Sequence, residues 1–527
     1  MFKGHPKGLI PAALSNMGER FGYYIMNAVL LLFLCSKFGI SDGVAAVIYA
    51  VFYFCIYVLS LPGGIIADKT QNYKGTIVAG LITMAAGYLM LSVPIMATPE
   101  NNMAMLVFTC IALFVIAFGN GLFKGNLQAI VGQMYDDLEA EAAKTGDPKK
   151  IEFAKSRRDP GFQIFYVFIN IGGVLAPFVA PFLREWWLKV NGFIYNANLP
   201  AYCHQYINDA SAMTPEAMSN MTDLVQKSVA SGVVPTDLAA FSSNYLEVFN
   251  QGIHYSFIAS IVAMLISLVI FLVFKKKFPT PVKKAEGAAV AEEKKISAAE
   301  KAQMAKEIKQ RMAGLYAVLG ICVFFWMSFH QNGQSLSLFA RDFVHTESVA
   351  PEVWQFLNPF LVIVLTPIIM WIFGTKWGRK ISTPRKIVMG MFFAGLAYLF
   401  LMIFSMVAGY PSGEVFRSMA VGDADAMKAG AWVLIVTYFF LTVAELFISP
   451  LGLSFVSKIA PKHIQGICQG LWLSATAFGN LLIMLGPIFY NKLPNLWLCW
   501  GIFMLICFIA MLIMSAMLKW LERITES

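Results

Sequence analysis

The chain has 527 residues, of which 58% are hydrophobic and only 13% charged, and its formal net charge is +9. That composition excludes an ordinary soluble domain of this size. Apolar runs of about 20 residues, enough to cross a hydrocarbon core of roughly 30 Å, recur along the whole length, and the fold class is an all-α polytopic membrane protein.

Twelve spans are predicted, at about residues 9–36, 43–66, 76–96, 103–130, 161–184, 253–275, 312–340, 353–374, 385–408, 431–456, 466–490 and 496–518. Lys3 and Lys7 precede the first without a small-residue cleavage site, so it reads as a retained span and not a signal peptide. With the amino terminus inside, thirty of the 40 Lys and Arg fall in inner loops, tails and the adjoining span ends and eight in outer loops and the adjoining span ends, while Arg20 and Lys124 lie deep within spans. This asymmetry predicts cytoplasmic termini, in a plasma membrane expected to be a bacterial inner membrane. It accounts for the net charge through anionic lipid, with no nucleic-acid partner.

The first span carries SNMGERFGYY (15–24), where Glu19 and Arg20 stand side by side. A charge at the bilayer centre costs about 2.5 to 3.5 kcal/mol on insertion scales and normally faces a cavity with a partner. Neighbouring helical positions point about 100° apart, so the two cannot both face lipid cheaply. Tyr23 and Tyr24 follow within one turn, on the side of the charges. The stretch GGIIADKTQNYKGT (63–76) between spans two and three is short and basic, and its Asp68 suits a helix cap and an ion pair that latches one bundle against the other.

Span four contains FGNGLFKGNLQAIVGQMY, with Lys124 among three glycines that permit close helix approach and loosen the helix around the lysine. Residues 185–252, between spans five and six, form a polar outer insertion with amphipathic pieces such as PEAMSNMTDLVQKSVASG and no acid/base cluster, as expected of a small helical cap. Residues 276–311 form a cytoplasmic linker ending in a surface helix, with Ser297 and Glu300 at capping-box spacing. They divide the chain into a bundle over 1–275 and another over 312–527.

Span seven holds FFWMSFHQNGQSLSLF, in which His330 is followed by Gln331, Asn332, Gln334 and Ser335, a polar stretch suited to a water-filled cavity or to a hydrogen-bonded core histidine. Span nine contains IVMGMFFAGLAYL (387–399), which aligns without gaps with IVAGLITMAAGYL (77–89) of span three at an offset of 310, the mark of six spans repeated. Span ten contains YFFLTVAELFISPLG, where Glu445 precedes Ser449 and Pro450, an acid beside a proline bend that reads as a site or gate residue. The eight cysteines are scattered without metal-ligand spacing; Cys203, in the outer insertion, has no evident partner, and no structural disulfide is expected.

These motifs resemble those of the proton-dependent oligopeptide transporter family of the major facilitator superfamily. ERFGYY resembles the end of its first-span ExxERFxYYG motif, and GGIIADKTQNYKGT its loop between spans two and three. FGNGLFKGNLQAIVGQMYDD and DPGFQIFYVFINIGGVLAPF resemble its fourth- and fifth-span signatures. LNPFL, AELFISPLGLSFVSKIAP and GLWLSATAFGN resemble spans eight, ten and eleven. The resemblance covers most of both halves. It implies twelve helices in two six-helix bundles and inward transport of di- and tripeptides with protons. The peptide carboxylate would bind Arg20 and Lys124, and its amino terminus would lie near Glu445. Tyr23, Tyr24, Tyr57, Asn126, Asn170, Trp326, Asn358, Ser449 and Trp472 match positions the family uses for the peptide backbone and side-chain pockets. No cofactor or metal is implied beyond the proton as coupling ion, and a monomer is the family default.

The sequence also departs from that pattern. Asn16 replaces the motif's first glutamate, Asn27 replaces an arginine seven residues after Arg20, and His330 replaces a glutamate four residues after Trp326. Losing just one of a gating Arg–Glu pair would bury an unpaired charge, whereas Asn27 and His330 can meet through a neutral hydrogen bond. Glu19, Glu445 and His330 remain as proton-coupling candidates, the last with an unperturbed pKa near 6.5. The expected function is a secondary active peptide transporter working by alternating access. Rival readings are a modified substrate, such as a cell-wall peptide, an amino-acid conjugate or an anion, and facilitated diffusion without a proton. A membrane enzyme or peptide receptor would need a catalytic constellation or signalling domain, and the sequence offers neither.

Overall fold

The computed structural model describes residues 4–526 apart from 71, 99, 156, 280–297, 346–348 and 460–464. Twelve helices among the described residues are long and apolar enough to cross a membrane, and the chain is an integral membrane protein. The first half comprises α1 (Leu9–Phe38), α2 (Asp42–Val58) continued by α3 (Ser60–Thr70), α4 (Tyr73–Ser92), α5 (Asn102–Lys144), α6 (Pro148–Lys155), α7 (Arg158–Val190), α8 (Leu199–Asp209), α9 (Pro215–Ser228) and α10 (Leu238–Val273). The second comprises α11 (Ala298–Phe329), α12 (Ser335–Asp342), α13 (Leu357–Gly374), α14 (Thr383–Val407), α15 (Gly413–Ser418), α16 (Val421–Met427), α17 (Trp432–Ile459), α18 (Gln465–Leu482), α19 (Leu485–Lys492), α20 (Leu496–Ala516) and α21 (Leu518–Glu526).

The predicted repeat is visible in packing. In the first half α4 lies against α5 and α10; in the second, α14 lies against α17 and α20. The matching caps also fall 310 residues apart: Asn72 accepts from Gly75 N at 2.9 Å, and Ser382 accepts from Arg385 N at 3.4 Å. Gly80 and Gly390 are a third such pair. A Cβ at Gly80 would meet Gly119 O at 2.7 Å, and one at Gly390 would meet Ala444 O at 3.0 Å, so both sites need glycine for close helix approach.

Three sequence expectations change. Spans four and six are longer than their apolar cores, because α5 continues through helix-forming residues to Lys144 and α10 starts at Leu238. The linker helix and span seven are one helix, α11, to Phe329; the Ser297–Glu300 capping pair lies outside the described residues and side chains. The glycines of span four do not loosen α5, which is continuous. They bring it against its neighbours, a Cβ on Gly121 clashing with Leu59 O, while Gly125 faces open space.

The halves meet where α18 packs on α2 and α13 on α7. The face holding Phe38 and Asp42 is called outer below, after the predicted orientation. There Arg184 Nη1 of α7 donates to Glu352 Oε1 at 2.7 Å, with side chains 1% and 0% exposed. Nearby, Arg341 Nη1 and Nη2 donate to the Asp42 carboxylate at 3.2 and 3.1 Å, and Arg417 Nη1 donates to Asp342 Oδ2 at 2.8 Å. A vestibule of about 500 Å³ lies among these residues. The outer side is therefore closed, by charges that sequence reading left at span ends in solvent.

Candidate functional site

Glu19 and Arg20, though neighbours on α1, curl together: Arg20 Nε and Nη2 donate to the two Glu19 oxygens at 2.6 and 2.7 Å. Asn120 Nδ2 of α5 adds a bond to Glu19 Oε1 at 2.8 Å. Both charges are buried. The Arg20 guanidinium also sits 4.7 Å from the Tyr23 ring centroid, keeping the tyrosine on the charged side as expected. Glu19 thus neutralises Arg20, leaving its remaining N–H donors for another group.

Lys124 has no hydrogen-bond or ion-pair partner among the described residues; its ammonium stands 4.3 Å from the centre of the Tyr57 ring. Across the interface, Glu445 of α17 accepts from Asn358 Nδ2 of α13 at 2.8 Å, and the same amide reaches Thr442 Oγ1 at 3.2 Å. Tyr24 and Tyr57 of the first half lie within electrostatic reach of both Arg20 and Glu445. Two cations on one bundle and an acid on the other therefore share neighbouring tyrosines.

Toward the outer face the tyrosines form a ladder along α2, with Tyr49 and Tyr53 rings 5.6 Å apart and Tyr53 and Tyr57 rings 6.0 Å apart. Asn27 Oδ1 accepts from Tyr23 and from Tyr49, both at 3.1 Å. His330 stacks on Trp326 at 5.3 Å, and its Nδ1 lies 3.4 Å from Tyr53 Oη. The expected Asn27–His330 bond is therefore absent: the tyrosine ladder stands between them, because each finds a closer phenol. His330 Nε2 and Trp326 Nε1 are buried without a hydrogen-bond partner among the described residues.

Several other candidates serve the scaffold in this conformation. Asn126 Nδ2 donates to Leu122 O and Gly63 O at 2.8 and 3.2 Å, tying α5 to α3, and Asn170 Nδ2 donates to Tyr166 O at 3.0 Å. Trp472 is buried against Gly452, where a Cβ would clash with its ring. Ser449 is half-buried one turn from Glu445. The Asp68 side chain, the expected latch, lies outside the described part of the structure. Sequence reading missed Asn120, Tyr49, Tyr53 and Thr442, whose signal is weak: uncharged polar residues are common in spans, and only packing selects these.

The family model described as POT family, PTR2, matches residues 74–289 and 280–496. The chain belongs to the POT family. Among similar proteins, "Peptide transporter YePEPT" of Yersinia enterocolitica is 27% identical over 91% of this chain and 87% of that protein. "Dipeptide and tripeptide permease B" of Salmonella typhimurium is 27% identical over 97% and 94%. A crystal structure of a peptide transporter POT in complex with sulfate superposes with a TM-score of 0.67 at 21% identity, covering 99% of this chain and 96% of that one. This POT family member therefore has the major facilitator fold, two six-helix bundles around the charges described above.

Proposed function

We propose that the chain is a secondary transporter that carries di- and tripeptides inward by alternating access, coupled to protons. The observation that carries this reading is the disposition of charge: Arg20 and Lys124 on one bundle, Glu445 on the other. A short peptide has only its two ends and backbone in common with other peptides, so a site that accepts many side chains must grip those. Arg20 and Lys124 would hold the carboxylate and Glu445 the ammonium, with Tyr23, Tyr24, Tyr57 and Asn358 contacting the backbone. The names of the similar permeases support the substrate class.

Binding would also assist closure. Bringing the bundles together around an empty site buries Lys124 and Glu445 without counter-charges, which is unfavourable in a dry interior. A zwitterion supplies both. The proton carriers would be Glu19, Glu445 and His330, with His330 and Asn27 relaying closure through Tyr53 and Tyr49, and Asp68 acting as an inner latch. Both termini would be cytoplasmic, in a bacterial inner membrane, and the unit a monomer.

The test is dialanine uptake into proteoliposomes with and without an inward proton gradient. Accumulation above equilibrium supports symport, uptake that only equilibrates removes proton coupling from the reading, and no uptake overturns the substrate. His330→Gln is expected to abolish gradient-driven accumulation while binding persists. Unchanged accumulation would eliminate the histidine as a carrier.

A further inference from the structure

The outer insertion is hydrogen-bonded to the main chain of the opposite half. Asn220 of α9, 3% exposed, donates from Nδ2 to Met419 O at 2.7 Å and accepts at Oδ1 from Val421 N at 3.3 Å, bracketing the backbone of residue 420. Tyr202 Oη of α8 donates to Arg417 O at 2.7 Å. At the rim, Lys227 lies 3.7 Å from Asp425, which Lys428 also holds at 2.7 Å. Side chains of the first half thus grip the main chain of residues 417–421 in the second.

Each partner is rigidly fixed to its own bundle. The insertion is held by the Phe193–Val229 bridge, by Ile194 N donating to Ser228 O at 2.8 Å, and by Phe193 and Tyr195 packed on Phe241, Tyr245 and Phe249 of α10. The 410–430 excursion is held by Tyr410 Oη donating to Met427 O at 2.9 Å, by Ala429 N donating to Phe343 O at 2.8 Å, and by the Pro411–Asn495 bridge. If the bundles rock as rigid bodies, neither partner can follow the other. The seam between them is not fully packed: it contains a crevice of about 260 Å³ lined by Tyr202, Lys227, Arg417 and Asp425.

We infer that α8–α9 and the 410–430 excursion form an outer clasp, separate from the substrate site, which holds the outward-closed state and must release each time the outer side opens. Asn220 is its principal grip, because one amide satisfies both a carbonyl and an N–H of the opposite half. Water replaces those bonds on release, so the clasp biases the equilibrium without locking it.

The test reads conformation and needs no substrate. Spin labels at Lys189 and Glu414, on opposite halves of the outer face, report the distance between bundles in the full chain in nanodiscs. In a Glu352→Gln background, which raises the open population into the measurable range, Asn220→Ala is expected to increase the open-to-closed ratio about tenfold, equivalent to about 1.4 kcal/mol. Tyr202→Phe should give a smaller shift in the same direction. Joining Asn220→Cys to Ala420→Cys with a short reducible cross-linker should collapse the distribution to the closed distance until reductant is added. Cross-linked protein that still samples the open distance, or Asn220→Ala and Tyr202→Phe distributions superposable on the background, would overturn the clasp.

Discussion

The outer face and the midplane both bury charge, but they settle it differently. On the outer face the charges where the halves meet find counter-charges in the protein: Arg184 with Glu352, and Arg341 and Arg417 with Asp42. Tyr490 Oη and Asn491 Nδ2 fill remaining acceptor sites on Asp342 and Asp42 at 3.0 and 3.2 Å. At the midplane, among the described residues, Arg20 is paired within its own helix, Glu445 has only an amide, and Lys124 has an aromatic ring. A complete network specifies one state of the molecule. An incomplete one specifies a ligand.

The largest effect should come from breaking the complete network. Glu352→Gln leaves Arg184 buried without a full counter-charge and is expected to destabilise the outward-closed state by about 3–5 kcal/mol. Replacing both, Arg184→Met with Glu352→Leu, should recover most of that loss, because the pair is costly to halve and cheap to remove. A double-mutant cycle on the outer spin-label distance measures this coupling. Next, Arg20→Ala removes the proposed carboxylate anchor and leaves Glu19 without its cation, and dipeptide uptake should fall at least about 100-fold, or about 2.7 kcal/mol. If the midplane charges were settled internally like those outside, the loss would appear as unfolding; thermal melting of the purified protein separates the two. Glu445→Gln keeps an acceptor for Asn358 and should weaken free-amine dipeptides about 10- to 30-fold. An N-acetylated dipeptide should lose nothing, as measured by competition for uptake.

The same contrast explains what the sequence made legible. The twelve spans followed from hydropathy, and the halves from a repeat that the structure repeats in caps and glycines. Arg20, Lys124 and Glu445 stood out because charge inside an apolar run is conspicuous. Arg184, Asp42, Arg341 and Glu352 did not, because at a span end a charge can equally well face water. Their burial depends on partners as far as 449 residues away, a relation that exists only after the bundles pack. Asn126 shows the opposite limit: its type and place matched a binding residue, but the backbone of Gly63, brought close by Gly121, captures its amide.

The smallest effect belongs to the clasp's exposed rim, and its sign is fixed. Burial alone would raise the Asp425 pKa, but the Lys428 hydrogen bond and the charges of Lys428 and Lys227 outweigh it and hold the carboxyl below its ordinary value. A group with a depressed folded pKa contributes stability that is fully present above the unfolded value, near 3.9, and is lost as pH falls through the folded value. Because the Asp425 side chain is 39% exposed, solvent and salt screen the pair, and its contribution is a few tenths of a kcal/mol. Asp425→Asn should therefore widen the outer distance distribution slightly at pH 7 and low salt, and the difference should vanish at high salt. It should fade also as pH falls through the folded value, which lies below the ordinary carboxylate value, because the native carboxyl is then itself protonated. Asn220→Ala, which removes buried main-chain bonds and no charge, should keep its effect under both conditions, so salt and acid separate the rim of the clasp from its grip.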